Sequence, residues 1–480
     1  MMELYFRLIQ FSLGLYEGKE FLDGTALKDF DWKAFFDFVK KQTLVGIAMD
    51  GVQKLPKGVA PNENLLLIWF GLSHKLMMRN SILNKATVYV YKKIREAGYP
   101  CCILKGQGNA MLYPHPASRT PGDVDVWVDA SREEIRSLAC SLAKDKGYVS
   151  DESLNHVGLF IKDIAVELHS TPAIMANFFY NRRLQKWLNE EKGKQCSHLV
   201  SLGSRPVSSD GDAQKGLAEM KVAVPTASFN AVYQLYHLYH HYFYEGVGLR
   251  QVLDYYFVVT GLMDELEKLQ TGSAISDSEN YSSLTEIQQT LKQLGLWNFA
   301  GAMMYVLREV LGLSEDKMLV PVDIRRGEML LHEILAGGNF GRYDRRNGLG
   351  DGFIGHNLQR LCRDFRFLRY YPAEALSEPL FRIWHYGWRH FLPKRTSEMR
   401  NKKRGCVMDF DTSSFHFFIF LHPMMIRLSF HELLGSSELV SHHAQEFLTL
   451  LENVEINQGN LHQAIILHIL QAVDVFLAKH

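Results

Sequence analysis

Asp123 and Asp125 stand one residue apart in Gly122-Asp123-Val124-Asp125-Val126, and Glu167 lies in the later run Val166-Glu167-Leu168. Residues i and i+2 of a strand point to one face, so the two aspartates would lie side by side while Val124 and Val126 face a core. Carboxylates held that close repel each other unless a cation sits between them. An all-oxygen set suits Mg²⁺ or Mn²⁺, the ions that escort nucleotide phosphates.

The surrounding segments must position these acids. A long helix over about residues 64–97 is expected to end at Gly98, a C′ glycine, and to feed a short buried strand at 101–104. Lys105-Gly106-Gln107-Gly108-Asn109 then reads as a turn into a helix start. Such a turn offers backbone N–H groups to phosphate, and Lys105 adds a point charge. After the acid strand, Ser131-Arg132-Glu133-Glu134 forms a capping-box signature that opens a helix running to near Gly147. Residues 156–161 and 164–169 read as a hairpin turning at Lys162-Asp163, with Ala165, Glu167 and His169 on one face. If the second hairpin strand lies beside the aspartate strand, Glu167 completes a three-carboxylate cluster. An Asp-x-Asp alone is a weak signal, since exposed strands often alternate acids. The ordered set of glycine turn, aspartate pair and hairpin acid is far more specific.

Leu104-Lys105-Gly106, Arg119, Gly122-Asp123-Val124-Asp125 and Val166-Glu167-Leu168-His169 resemble, in this order, the uncharacterised bacterial nucleotidyltransferases of the DNA polymerase β-like superfamily. Gly248-Leu249-Arg250, Asp254 and Gly337-Gly338-Asn339-Phe340-Gly341 are similar to the same members, so the resemblance spans about residues 1–395. It implies an α+β fold: a polymerase β-like core with a short mixed sheet, flanked by N- and C-terminal helical segments. It also implies transfer of a nucleoside monophosphate from an NTP to an acceptor hydroxyl, with Asp123, Asp125 and Glu167 as catalytic and metal-binding acids. Lys105, Gly106, Gln107, Arg119 and Arg250 are the residues it places against the nucleotide. One departure stands out. Most members carry Gly-Ser or Gly-Gly at the phosphate turn, so the serine contact is missing here and falls to Lys105 or Gln107.

The chemistry expected is two-metal-ion transfer: one ion on Asp123, Asp125 and the triphosphate, a second shared with Glu167 that activates the acceptor hydroxyl. Glu167 is a further candidate for accepting the acceptor's proton. ATP is the donor expected, because many small nucleotidyltransferases use it. A small molecule fits the acceptor best, a protein side-chain hydroxyl next and tRNA last. Two other classes compete: a regulatory protein that binds nucleotide at a weakened site, and a metal-dependent phosphohydrolase using the same acids.

Composition supports these choices. The chain has 480 residues, enough for two or three domains. Its segments read as helical over 1–98, mixed α/β over 99–225, helical over 226–395, and a basic linker with an unassigned tail over 396–480. Lys and Arg number 53 against 53 Asp and Glu, which gives no global electrostatic case for nucleic acid. Six cysteines without metal-type spacing fit reduced thiols in a cytoplasmic protein. The apolar run at 415–430 is broken by His416, His422, Pro423 and Arg427, a poor membrane span. His237 and His241 share a helical face, but aromatic packing is the better reading of Tyr236-His237-Leu238-Tyr239-His240-His241-Tyr242. Arg250 and Asp254, four apart, are expected to pair on an exposed helix face. Arg342, Arg345 and Arg346 belong to a glycine- and arginine-rich segment read as a solvated loop, and Gly203–Lys215, Thr271–Ser283 and the basic run 394–404 read as loops or linkers.

Overall fold

The strand that carries Asp125 is an interior strand of a five-stranded mixed sheet. A computed structural model describes residues 1–144, 147–201, 221–271, 282–344, 346 and 353–391 of the chain. The strands are β1 (Cys101–Ile103), β2 (Val124–Val128), β3 (Gly147–Glu152), β4 (His156–Ile161) and β5 (Ile164–His169). Across the sheet they run β1-β2-β5-β4-β3. β2 and β5 are parallel, and the other neighbours are antiparallel. The fold is α+β, with helices before and after the sheet.

Alternation in β2 explains how the sheet is covered. Val124, Val126 and Val128 join an apolar core with Leu83, Val90 and Ile94 of the Glu63–Glu96 helix and Ile135 and Leu138 of the Arg132–Ala143 helix. Cys102 and Trp127 point the other way, into a larger core built mainly by helices. There Phe229 of the Ala227–Tyr244 helix stacks against Trp127 at 5.8 Å and Trp187 at 4.7 Å. The N-terminal helices share this second core with the later ones: Gln10 donates to the Val310 carbonyl (2.9 Å) and Gln42 to that of Ile334 (3.2 Å). Met1–Phe391 form one compact unit.

Local signals behave as their chemistry dictates. Ser131 and Glu134 make both halves of the capping box, and Gly98 follows the long helix with φ +92°. The hairpin turns at Lys162-Asp163 with every residue from 156–161 paired as the alternation requires. Two expectations need correction. The helix expected to run to near Gly147 stops at Ala143, and Gly147 opens β3, a strand the sequence reading lacked. Its residues, Gly-Tyr-Val-Ser-Asp-Glu, are largely polar because β3 is an edge strand, with Tyr148 52% exposed. No buried face means no apolar period to read.

Among the described residues, no helix is long and apolar enough to cross a membrane, and Cys101, Cys102, Cys140, Cys196 and Cys362 are free thiols. The polar segment 203–215, most of 271–283, Arg345, the basic run, the apolar run 415–430 and the tail lie outside the described residues.

Candidate active site

Asp125 and Glu167 are direct register partners on the parallel strands β2 and β5. Asp123, the residue before β2, points to the same face. One carboxylate oxygen from each of Asp123, Asp125 and Glu167 lies within 4.8 Å of the others. Asp125 is 1% exposed, and its Oδ2 is buried without a hydrogen-bond partner. Burying a carboxylate oxygen unpaired is costly, so this atom suits a cation. Hard oxygen donors in threes fit a divalent ion; the donor set therefore passes the chemical test for one.

Cationic side chains of the protein meet the same acids. Lys105 Nζ is 3.3 Å from Asp125 Oδ1, and His169 Nε2 lies 3.1 Å from that oxygen and 3.3 Å from Glu167 Oε2. Burial opposes charge on Lys105, yet Asp125, then Asp123 and Glu167, hold its ammonium above its ordinary value. Burial likewise opposes charge on His169, but its hydrogen bonds to Asp125 and Glu167 raise it to about 9. Glu167 is held down to about 2: burial would raise it, and the His169 hydrogen bond outweighs that.

Lys105 is aimed by a second contact. Its Nζ lies 3.2 Å from His237 Nε2, which in turn is 3.1 Å from His241 Nε2. Burial and the Lys105 charge push His237 well below its ordinary value, so it is a neutral acceptor for the ammonium. The helical histidine pair therefore orients a lysine. His237, His240 and the tyrosines beside it pack as the aromatic face the sequence suggested.

The remaining candidates divide. Gly106 sits at φ +60°, and a Cβ there would lie 3.2 Å from the Asp123 carbonyl, so the turn can run against the acid strand only as glycine. Gln107 is 3% exposed and its amide donates to Asn84 of the long helix, which turns the side chain away from the role of the missing serine. Arg119 is 3% exposed and forms a two-pronged pair with Asp254, both contacts 2.7 Å. Tyr113 donates to the same carboxylate at 2.7 Å, and Asn80 donates to the Arg119 carbonyl. Arg119 thus braces the loop before the acids, and the expected Arg250–Asp254 pair is replaced by this one. A rigid guanidinium fork matches a carboxylate better than a distant helical neighbour does.

Arg250 instead lies over the turn that leads into Asp123. Its Nη1 donates to the Thr120 carbonyl (3.3 Å), and its guanidinium stands 5.9 Å from the Phe340 ring. Burial, then the neighbouring Arg119, lowers it from its ordinary value, and its Nε is buried without a partner. Of the loop arginines, Arg346 pairs with Asp344 and Glu333.

Sequence reasoning missed His156. Its Nε2 lies 3.9 Å from Glu167 Oε1, and it is the cross-strand partner of His169. Counting back from the 162–163 turn would have found it.

A family model described as uncharacterised nucleotidyltransferase matches residues 28–273, just over half of the chain. No curated protein and no solved structure matches it.

Proposed function

This chain belongs to the uncharacterised nucleotidyltransferase family, and from that premise we propose that Asp123, Asp125 and Glu167 form the centre of nucleotidyl transfer on a polymerase β-like core. The reaction is displacement at the α-phosphorus of an NTP by an acceptor hydroxyl: a new P–O bond forms, and pyrophosphate leaves. We take ATP as the donor and a small molecule or a protein side-chain hydroxyl as the acceptor. The observation that carries this is the pairing of Asp125 with Glu167 across β2 and β5, with Asp123 beside them and Asp125 Oδ2 buried unpaired.

The three acids would hold Mg²⁺ or Mn²⁺, which when bound activates the acceptor hydroxyl and stabilises charge on the phosphoryl oxygens. The chain's own residues set the stage for that. Lys105, aimed by neutral His237, places a fixed positive charge against Asp125 where a triphosphate would need it. Gly106 keeps the Lys105 turn tight against Asp123. The Arg119–Asp254 pair fixes the loop entering β2, and Arg250, over Thr120, is the arginine left to face nucleotide. Glu167, the register partner of Asp125, serves cation binding.

The test is transfer of label from each α-labelled NTP, with Mg²⁺ or Mn²⁺ and a cell extract as acceptor source. Label moving onto an acceptor in wild type and not in Asp123→Asn is the expected result. Nucleotide bound tightly with no transfer would instead favour the regulatory, non-transferring reading, which the burial of Gln107 supports. Free NMP without adduct would favour hydrolysis.

A further inference from the structure

We propose that His156, Glu167 and His169 form a second cation position, selective for a borderline divalent ion of the Zn²⁺ class, which shares Glu167 with the acid group. This rests on the cation-binding reading of Asp123, Asp125 and Glu167 above. The sheet register brings the donors together. His156 on β4 is the direct partner of His169 on β5, and Gly158 is the partner of Glu167. Side chains two apart share a face, so the imidazoles form one row across the sheet and Glu167 belongs to the next. Gly158 has no side chain to stand opposite Glu167, and Asp151 and Ser150 of β3 reach over the space instead.

One donor atom from each of the three residues lies within 4.8 Å of the others. Glu167 is bracketed by the two rings: Oε2 lies 3.3 Å from His169 Nε2, and Oε1 lies 3.9 Å from His156 Nε2. Donors bonded at about 2.1 Å to one ion stand about 3.0–3.4 Å apart. The His169–Glu167 pair already spans such an edge; a cation there takes the place of the proton that His169 Nε2 shares with Asp125 and Glu167, and a small rotation of the half-buried His156 ring closes the set.

One further observation separates this from a pair of merely structural histidines. His156 Nδ1 is held 2.9 Å from Ser153 Oγ, which leaves Nε2 toward Glu167 (3.9 Å) and Asp151 (3.7 Å). Ligating histidines are held in this way, through the nitrogen that does not bind. Two imidazoles and one carboxylate favour Zn²⁺ or Co²⁺ over Mg²⁺, whereas the three-carboxylate group keeps its preference for harder ions. The two positions therefore differ in chemistry while sharing Glu167.

The probe is Co²⁺, titrated into the metal-free full-length protein and followed by its ligand-field absorption, with Zn²⁺ as competitor. Wild type should show a Co²⁺ spectrum with nitrogen donors, displaced by Zn²⁺ and little affected by excess Mg²⁺. His156→Ala should weaken Co²⁺ at least about tenfold, and Ser153→Ala should weaken it by about that factor through loss of ring orientation. Asp123→Asn should leave it unchanged. Equal Co²⁺ affinity in wild type, His156→Ala and Ser153→Ala would overturn the proposal. So would loss of Co²⁺ in Asp123→Asn with retention in His156→Ala, since the ion would then belong to the acids alone. Mn²⁺ binding followed by electron paramagnetic resonance reads the acid group separately. Failure of Mn²⁺ to bind wild type contradicts the acid reading and is distinct from either Co²⁺ outcome.

Discussion

Both faces of β2 are buried, yet they are chemically opposite. One face presents Val124, Val126 and Val128 to an apolar core, each no more than 2% exposed. The other presents Trp127 and the 1%-exposed Asp125, met by Lys105 and His169. An apolar face stabilises simply by leaving water. A buried charged face gains stability only if every charge finds its partner, and apolar replacements often serve as well. Asp125 Oδ2 has no partner at all. The charged face therefore departs from what folding alone selects, and that departure marks where chemistry belongs.

The widest separation between the faces should come from Asp125→Asn set beside Val126→Ala. Asparagine preserves shape but removes charge from the acid face, so nucleotidyl transfer should fall on the order of 10³-fold with little change in Tm. Val126→Ala opens a cavity on the apolar face and should cost about 2 kcal/mol in denaturant unfolding while activity per folded molecule persists. Equal loss of activity in both variants would break the distinction.

A buried charge that is structural rather than chemical sharpens it. Arg119→Ala leaves the buried Asp254 carboxylate with the Tyr113 hydroxyl but without its cationic partner, so it should destabilise by about 3–5 kcal/mol in urea unfolding. Asp254→Asn in the Arg119→Ala background should recover part of that loss, because no lone charge remains. A stable Arg119→Ala protein that lost only nucleotide affinity would instead place Arg119 at the phosphates.

Smaller in effect is a pair of acids on the Pro372–Phe391 helix. Burial raises Glu374 and Glu378 to about 7. A carboxyl whose pKa rises on folding favours the folded state while protonated, and its cost grows as pH climbs from its unfolded value through about 7. Glu378→Gln should therefore raise Tm at about pH 8 and leave it nearly unchanged at about pH 4. Scanning calorimetry at both values checks the sign. A rise at the lower pH alone would contradict it.

Much of this site was legible in the residues. The alternation of β2 separated aspartates from valines, and the hairpin at Lys162-Asp163 placed Glu167 and His169 on one face. Legibility failed where local pattern carried no information. β3 is a polar edge strand without an apolar period. The Arg119–Asp254 pair joins residues far apart in the chain, which spacing cannot reveal, so the nearer Arg250 took its place in the sequence reading. Gln107 read as a phosphate contact from its place in the turn where the resemblance lacks a serine, and its bond to Asn84 joins a distant helix that spacing does not reveal. His156 is the instructive miss. The register fixed by the turn already placed it opposite His169, but a histidine at a strand's start carries no motif of its own.

The most direct measurement of the central claim is pyrophosphate release from ATP with Mn²⁺ and acceptor extract, comparing wild type, Asp125→Asn and Val126→Ala at equal folded concentration. The account predicts release by wild type and Val126→Ala and near silence from Asp125→Asn. Release that persists in folded Asp125→Asn would place the chemistry elsewhere in the molecule.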